Sequence, residues 1–436
     1  MIGWIGKQQA ALRTPAADPA TLARRTVRHN ALALGADFSL FLVGLSFASQ
    51  STILPAFAEH LGAPNVLIGA IPAVMTVGWF LPSLFAAGHT ESLPRKLPFV
   101  LRYTLWERVP FVVLALVAFL VARPAPALAL GILLAMLLVI TGTGGVIMPA
   151  WMDIVGRVIP TTSRGRFFAL ANIVGSAGGL AGSFATAYLL ARVPPPGSYG
   201  VCFLCTSLFM GLSYVALVLV REPATGAPRP RRPMGAYLRG IPGLLARDRN
   251  LSWFLVARAF STIGAMAGAF YTVYALRVWE APVWWVGMFT SVLLAAQMAA
   301  TPVFGLLADR AGHRLVIIGG VAAGVAANLV ALAAPSLDVF ATVFALTGVQ
   351  LAAINVSGLN VLLEFAPSVD ERPTYIGLGT TLVAPVVFGA PLAAGLMADV
   401  LGFAPVFTVA AGGGLIGLGL LIGRVRDPRH GRGVVG

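Results

Sequence analysis

The sequence predicts an all-α integral membrane protein whose twelve transmembrane helices form two pseudo-symmetric six-helix bundles. Three observations carry that expectation: an apolar composition, twelve apolar stretches of bilayer length, and a repeat at half the chain. Of 436 residues, 58% are hydrophobic and 11% charged, and the mean hydropathy is +0.86. A soluble domain carries about 25% charged residues. This chain has too little polar surface to cover its apolar bulk in water, which excludes a cytoplasmic enzyme, a disordered tail protein and a secreted domain. Cys202 and Cys205 lie inside an apolar run and indicate neither a disulfide framework nor a zinc site.

The apolar stretches fall at 34–58, 66–87, 105–122, 126–149, 168–191 and 200–220 in one half. In the other they fall at 252–276, 283–305, 315–334, 338–362, 375–397 and 402–423. Each approaches the roughly 20 residues that cross a bilayer. Residues 1–33 form a basic N-terminal arm, expected to be retained because Lys7, Arg13, Arg24, Arg25 and Arg28 interrupt its apolar content. The bundles span 34–221 and 251–423, with an Arg-, Pro- and Gly-rich tether at 222–250 between them and a tail at 424–436.

Basic residues set the orientation. With both termini in the cytoplasm, only Arg123, Arg192 and Arg277 of the 30 Lys and Arg fall outside, and Arg258 lies within a span. That asymmetry follows the positive-inside rule. The net charge of +14 is therefore an orientation signal rather than a nucleic-acid footprint. Arg221, Arg229, Arg231, Arg232, Arg239, Arg247 and Arg249 cluster at the tether, where anionic lipid headgroups are the expected partners.

Shifting the chain by half its length lays Ala63-Pro64-x4-Gly69 over Ala281-Pro282-x4-Gly287, each opening the second span of its half. The same shift pairs Glu91 with Asp309 and Arg95-Lys96 with His313-Arg314. A slightly shorter shift lays Arg164-x-x-Phe167 over Arg372-x-x-Tyr375, with Asp153 and Pro160 upstream of one and Glu364 and Pro367 upstream of the other. These charged loops are candidates for gates, because acid–base clusters at helix ends can form in one conformation and break in another. In Gly305-Leu-Leu-Ala-Asp309-Arg310-Ala-Gly312-His313-Arg314, Gly305 permits close helix approach, Asp309 can pair across the seam or cap the next span, and Gly312 allows a tight reversal. The alternative is a set of solvated turn residues.

That loop resembles the signature Gly-x-Leu-x-Asp-Arg-x-Gly-Arg-Lys/Arg of the major facilitator superfamily of secondary transporters. Gly305, Leu307, Asp309, Arg310, Gly312 and Arg314 match it, with His313 in the usual arginine place. The first-half copy is eroded: Ala87 stands for the leading glycine, Glu91 for the aspartate and Pro94 for the later glycine. The resemblance covers about 30–425 and implies the major facilitator fold, with a central cavity reached alternately from the two sides. The fifth span has Gly175, Gly178, Gly179 and Gly182 but lacks the proline of the family's antiporter motif.

Ionisable groups inside hydrocarbon are costly, so Asp37 and Arg258, near the starts of the first and seventh spans, are the first candidates for a cavity. Arg258 could contact an anionic substrate, pair with Asp37, or extend to the headgroups. Asp37 could carry a coupling proton or serve at a gate. Glu107 and Arg108 read as an interfacial pair opening the third span. Among uncharged groups, Gln50, Gln297, Gln350 and Asn355 sit nearest mid-span, and Tyr271 lies further out. Helix–helix hydrogen bonding is the competing role for each.

No histidine cluster is spaced as a metal set and no Gly-x4-Gly-Lys-Ser/Thr loop is present, so no enzyme, cofactor or ATP-driven pump is expected. The expected protein is a multi-pass, monomeric secondary transporter of an inner or plasma membrane. Its expected partners are membrane lipids, a small-molecule substrate, and a proton or sodium ion for coupling. The sparse charge leans toward export of a hydrophobic or amphipathic solute. The alternatives are uptake of a neutral or weakly anionic polar solute, and a non-transporting scaffold or receptor on the same fold.

Overall fold

The computed structural model describes residues 19–90, 93, 95–222, 245, 247–367 and 371–428. Among the described residues, twelve helical segments are long and apolar enough to cross a membrane. In the first half these are Thr26–Ser46, Asn65–Ser83, Leu97–Val121, Pro126–Val158, Ser163–Arg192 and Gly197–Val218. In the second they are Arg249–Val278, Trp285–Ala311, His313–Ala333, Leu337–Phe365, Tyr375–Leu401 and Phe403–Gly423. We number them as spans one to twelve. The described N-terminus (Pro19) and C-terminus (Pro428) share one face, the terminal face, and the opposite side is the far face.

The repeat in sequence is a repeat in packing. Within the first bundle, span two packs on four, one on five and six, and three on four and six. Within the second, span eight packs on ten, seven on eleven and twelve, and nine on ten and twelve. The bundles meet where span two crosses eleven and where five crosses eight, which are equivalent seams under the same repeat. Lipid tails are as apolar as leucine, so helices in a bilayer associate where small residues let backbones approach. In span five, Gly175, Gly178 and Gly182 lie against Leu42, Val43 and Phe47 of span one. Gly312 takes φ 94° at the sharp reversal between spans eight and nine, as its place in the loop predicts.

Five spans depart from the continuous stretches expected: span ten pauses between Ser357 and Asn360, span eleven between Thr381 and Ala384, and spans one, seven and three are also interrupted. Span one stops at Ser46 and resumes as Ile53–His60. Ser49-Gln50-Ser51-Thr52 carry side chains that compete for backbone bonds, and Pro55 has no N–H to give the Ser51 carbonyl. That carbonyl instead accepts the Thr272 hydroxyl from span seven at 3.0 Å. Span seven is also broken: Arg249–Gly264, a 3-10 turn Met266–Ala269, then Phe270–Val278. The freed Gly264 carbonyl accepts Asn328 Nδ2 at 2.9 Å. Span three begins at Leu97, earlier than expected, with an interruption at Thr104. The helix at the start of span one also begins earlier, at Pro19, inside the basic arm.

Candidate functional site

A cavity of about 400 Å³ lies between the bundles. The unwound stretch of span one contributes Ser49, Gln50 and Ser51, span five Asn172 and Ser176, span eight Gln297, and span ten Asn355. Phe41, Leu45, Trp79, Phe111 and Leu351 supply the apolar wall. Irregular backbone is tolerated at membrane depth where it lines a cavity, because the cavity can satisfy the groups that the helix no longer does. Gln50, Gln297 and Asn355, from three different spans, thus converge.

A second cavity of about 310 Å³ holds Arg258 and Gln350, with Ser261, Thr262, Thr380 and, from the first bundle, Thr76 and Phe80. Span ten borders both spaces, through Gln350 and Ile354 here and Leu351 and Asn355 in the central cavity. Gln350 packs so tightly on Gly324 that a Cβ there would meet its amide. Arg258 Nη1 donates to the Gly358 carbonyl at 3.4 Å, and among the described residues the guanidinium has no carboxylate partner.

The alternative pairing of Arg258 with Asp37 is not formed. Asp37 is 4% exposed inside the first bundle. Its Oδ1 accepts from Ser213 Oγ at 2.6 Å and from Arg108 Nη2 at 3.2 Å, and its Oδ2 accepts from Trp151 Nε1 at 3.0 Å. The interfacial reading of Glu107 and Arg108 is corrected as well. Because the helix starts at Leu97, Glu107 stands roughly 15 Å along it at 1.5 Å per residue, and both side chains are buried. Tyr271 lines neither cavity. It is buried, donates to Asn328 Oδ1 at 2.9 Å and packs on Phe407, so its role is internal to the second bundle.

Several gate candidates on the terminal face bond within their own bundle. Asp153 pairs with Lys96 at 2.5 Å and Arg157 at 2.6 Å, and Glu222 accepts from the Lys96 and Leu97 backbone at 2.9 and 2.8 Å. Arg164 donates to the Ile159 carbonyl at 3.0 Å and to that of Gly156, capping the end of span four. Arg314 binds the Leu421 carbonyl at 2.7 Å, and His313 meets Ser357 at 2.9 Å. These interactions therefore brace single bundles. Arg95, Asp309 and Arg310 are exposed, and Glu364 is half-buried beside Arg314. Among the described residues no neighbour comes within 4 Å of a Cβ placed at Gly305, which contradicts its reading as a close-approach point. Glu91 and the Arg372 side chain lie outside the described residues.

The ties between bundles lie toward the far face, and the sequence reading missed them. Arg277 of span seven forks onto Glu59 at 2.7 and 2.5 Å, and reaches Asn65 Oδ1 and the Ala63 carbonyl, each at 3.1 Å. Asp399 of span eleven accepts from the backbone N–H of Asn65 at 2.8 Å and Val66 at 3.0 Å, the first turn of span two. Thr52 meets Thr290 at 2.6 Å and Ser183 meets Ser291 at 2.8 Å. A Cβ at Gly69 would overlap the Pro391 carbonyl, and one at Gly287 the Ala187 backbone. Gly69 and Gly287 are the repeat-matched glycines, so the duplication did mark both seams. The bundles are sealed on the far-face side of the cavity.

Residues 283–434 match the family model described as Major Facilitator Superfamily. No protein of curated function matches the sequence. Among solved structures, the chain is similar to a bacterial homolog of the human lysosomal transporter Spinster in an inward-facing and occupied conformation, at TM-score 0.68 and 13% identity over 93% of this chain and 98% of that one. It is also similar to the nucleoside transporter NupG (D323A mutant), at TM-score 0.67 and 12% identity over 90% and 98%. A D-xylose-proton symporter aligns at TM-score 0.64 and 13% identity over 92% and 98%. Identity this low speaks for the fold alone. The family match lies in the second bundle, and the chain as a whole shares its twelve-span, two-bundle fold with these solved transporters.

Proposed function

We propose that the chain is an alternating-access carrier for an amphipathic small molecule bearing an acidic group. One observation carries the reading. A mixed apolar and amide cavity between the bundles adjoins a second cavity in which Arg258 has no carboxylate partner among the described residues. A guanidinium in that setting suits a carboxylate or phosphate, which it can bind through two parallel N–H bonds. The apolar wall suits the remainder of the solute. Export was the lean of composition alone. The chemistry of the cavities favours an acidic amphipath, and the imposed gradients set the direction of its net movement. Polar groups from both bundles around a shared space speak against a non-transporting scaffold. In this reading the terminal face is cytoplasmic, as the Lys and Arg distribution supports.

The test is uptake and release of a panel of acidic, neutral and cationic amphipaths by proteoliposomes under proton or sodium gradients of either sign. For an acidic solute, R258A should weaken binding about ten- to a hundred-fold, the loss of a charged hydrogen bond. R258K should recover part of it. Near-wild-type affinity in folded R258A removes Arg258 from the site, and an inert panel under every gradient sinks the carrier reading.

A further inference from the structure

We propose that Glu107 holds one exchangeable proton at the wall of the central cavity, and that this proton is the ion coupled to the carrier's conformational cycle. The inference rests on the carrier reading for its second half, while the proton site stands on geometry alone. Three ionisable groups are buried together in the first bundle: Asp37, Glu107 and Arg108. They are the titratable groups that face one another there. The packed neighbours contribute Thr104, Gly144, Trp151, Met210 and Ser213, none of which ionises.

Hydrogen-bond directions say where a proton can sit. Trp151 and Arg108 can only donate, and the Ser213 hydroxyl donates to Asp37 while accepting from Arg108 Nη2 at 2.9 Å. Every partner of Asp37 therefore requires a carboxylate, and among the described residues no acceptor faces it for an O–H. Asp37 and Arg108 cancel as one ion pair. Glu107 is left over. Its Oε2 accepts from Thr104 Oγ1 at 3.2 Å and stands 3.5 Å from Arg108 Nη1. Its Oε1 has no hydrogen-bond partner among the described residues.

Glu107 also occupies a singular position. It lines both the small pocket of about 160 Å³ beside Asp37 and the central cavity between the bundles. Gly144 keeps that side open, since a Cβ there would come within 2.9 Å of Oε1. A surplus carboxylate in a dry interior is costly, and one proton taken from cavity water removes the charge without disturbing the Asp37–Arg108 pair. The proton joins Oε1, and on release returns to water. A deprotonated Glu107 is tolerable while the cavity is open and wet, and costly once both faces close around it. Sealing the cavity therefore favours the protonated form, which links protonation to the conformational cycle.

The experiment needs no substrate. Infrared difference spectra of the purified protein in lipid, titrated in pH, should contain the carbonyl band of one protonated carboxylic acid. E107Q should lose that band, and the exposed-acid control D338N should keep it. Replacing potassium chloride by sodium chloride at fixed pH should leave it unchanged. Distances between spin labels at Leu128 and Val339, one near the far face of each bundle, should respond to pH in the wild type and not in E107Q. A wild-type protein with no titrating acid band, a band that survives in E107Q, or a band removed by sodium overturns the proton site. A band that vanishes in E107Q beside label distances insensitive to pH overturns the coupling. The wild-type titration decides the first point even if E107Q fails to fold and whether or not the carrier reading holds; the label distances decide the coupling, and failure of the carrier reading shows separately as a panel of solutes that no gradient moves.

Discussion

Replacing Asp399 by alanine should release the far-face seal. Its carboxylate accepts two backbone N–H groups at the start of span two, at 2.8 and 3.0 Å, and does so across the boundary between bundles. Hydrogen bonds to a charged group contribute about 1.5–3 kcal/mol, and a negative charge at a helix N-terminus adds about 0.3–1 kcal/mol when exposed. The bonds exist only while spans two and eleven are together, so their loss falls entirely on the far-face-closed state. Taking about 2 kcal/mol, D399A should raise the ratio of far-face-open to closed molecules roughly thirty-fold. D399N, which keeps one acceptor oxygen but no charge, should shift it less. Spin labels at Leu128 and Val339 read the separation directly, since both side chains are exposed near the far ends of spans four and ten. Should the wild-type open population be too small to detect, D399A combined with R277A also removes the Arg277–Glu59 fork. An unchanged distance distribution in that folded double variant would refute the seal.

Two further predictions use other parts of the structure. Gly69→Leu should hold the far face open, because even a Cβ there overlaps the Pro391 carbonyl; single cysteines on spans two and eleven should become reactive to a water-soluble thiol reagent from that side, and protection equal to wild type would count against the contact. In a background without Cys202 and Cys205, a cysteine at position 230 of the tether should resist an impermeant reagent added outside intact cells; strong labelling would reverse the orientation.

Much of the cavity was legible in sequence. Gln50, Gln297 and Asn355 were found because an amide in hydrocarbon needs a partner or water, and that rule needs only span depth. Tyr271 met the same rule and satisfied it with Asn328, a partner that sequence spacing does not reveal. Glu107 and Arg108 were misjudged because two adjacent charges mark a span boundary in a hydropathy reading. The helix in fact continues back to Leu97, and tertiary packing supplies Asp37, Thr104 and Ser213 to satisfy them.

What the sequence determined by itself is the set of local and periodic properties: twelve spans, two repeated halves, the charge asymmetry of the loops, and the glycine reversal at Gly312. Each follows from residue composition and the fixed rise of a helix. The tertiary structure decided which polar groups meet. It joined Asp37 to Arg108 rather than Arg258, kept the Asp153–Lys96 pair and the Arg314–Leu421 bond each within one bundle, and set the far-face seal on Arg277 and Asp399. Those pairings join residues as far apart in the chain as Asn65 and Asp399, and they depend on how two bundles lean together in three dimensions.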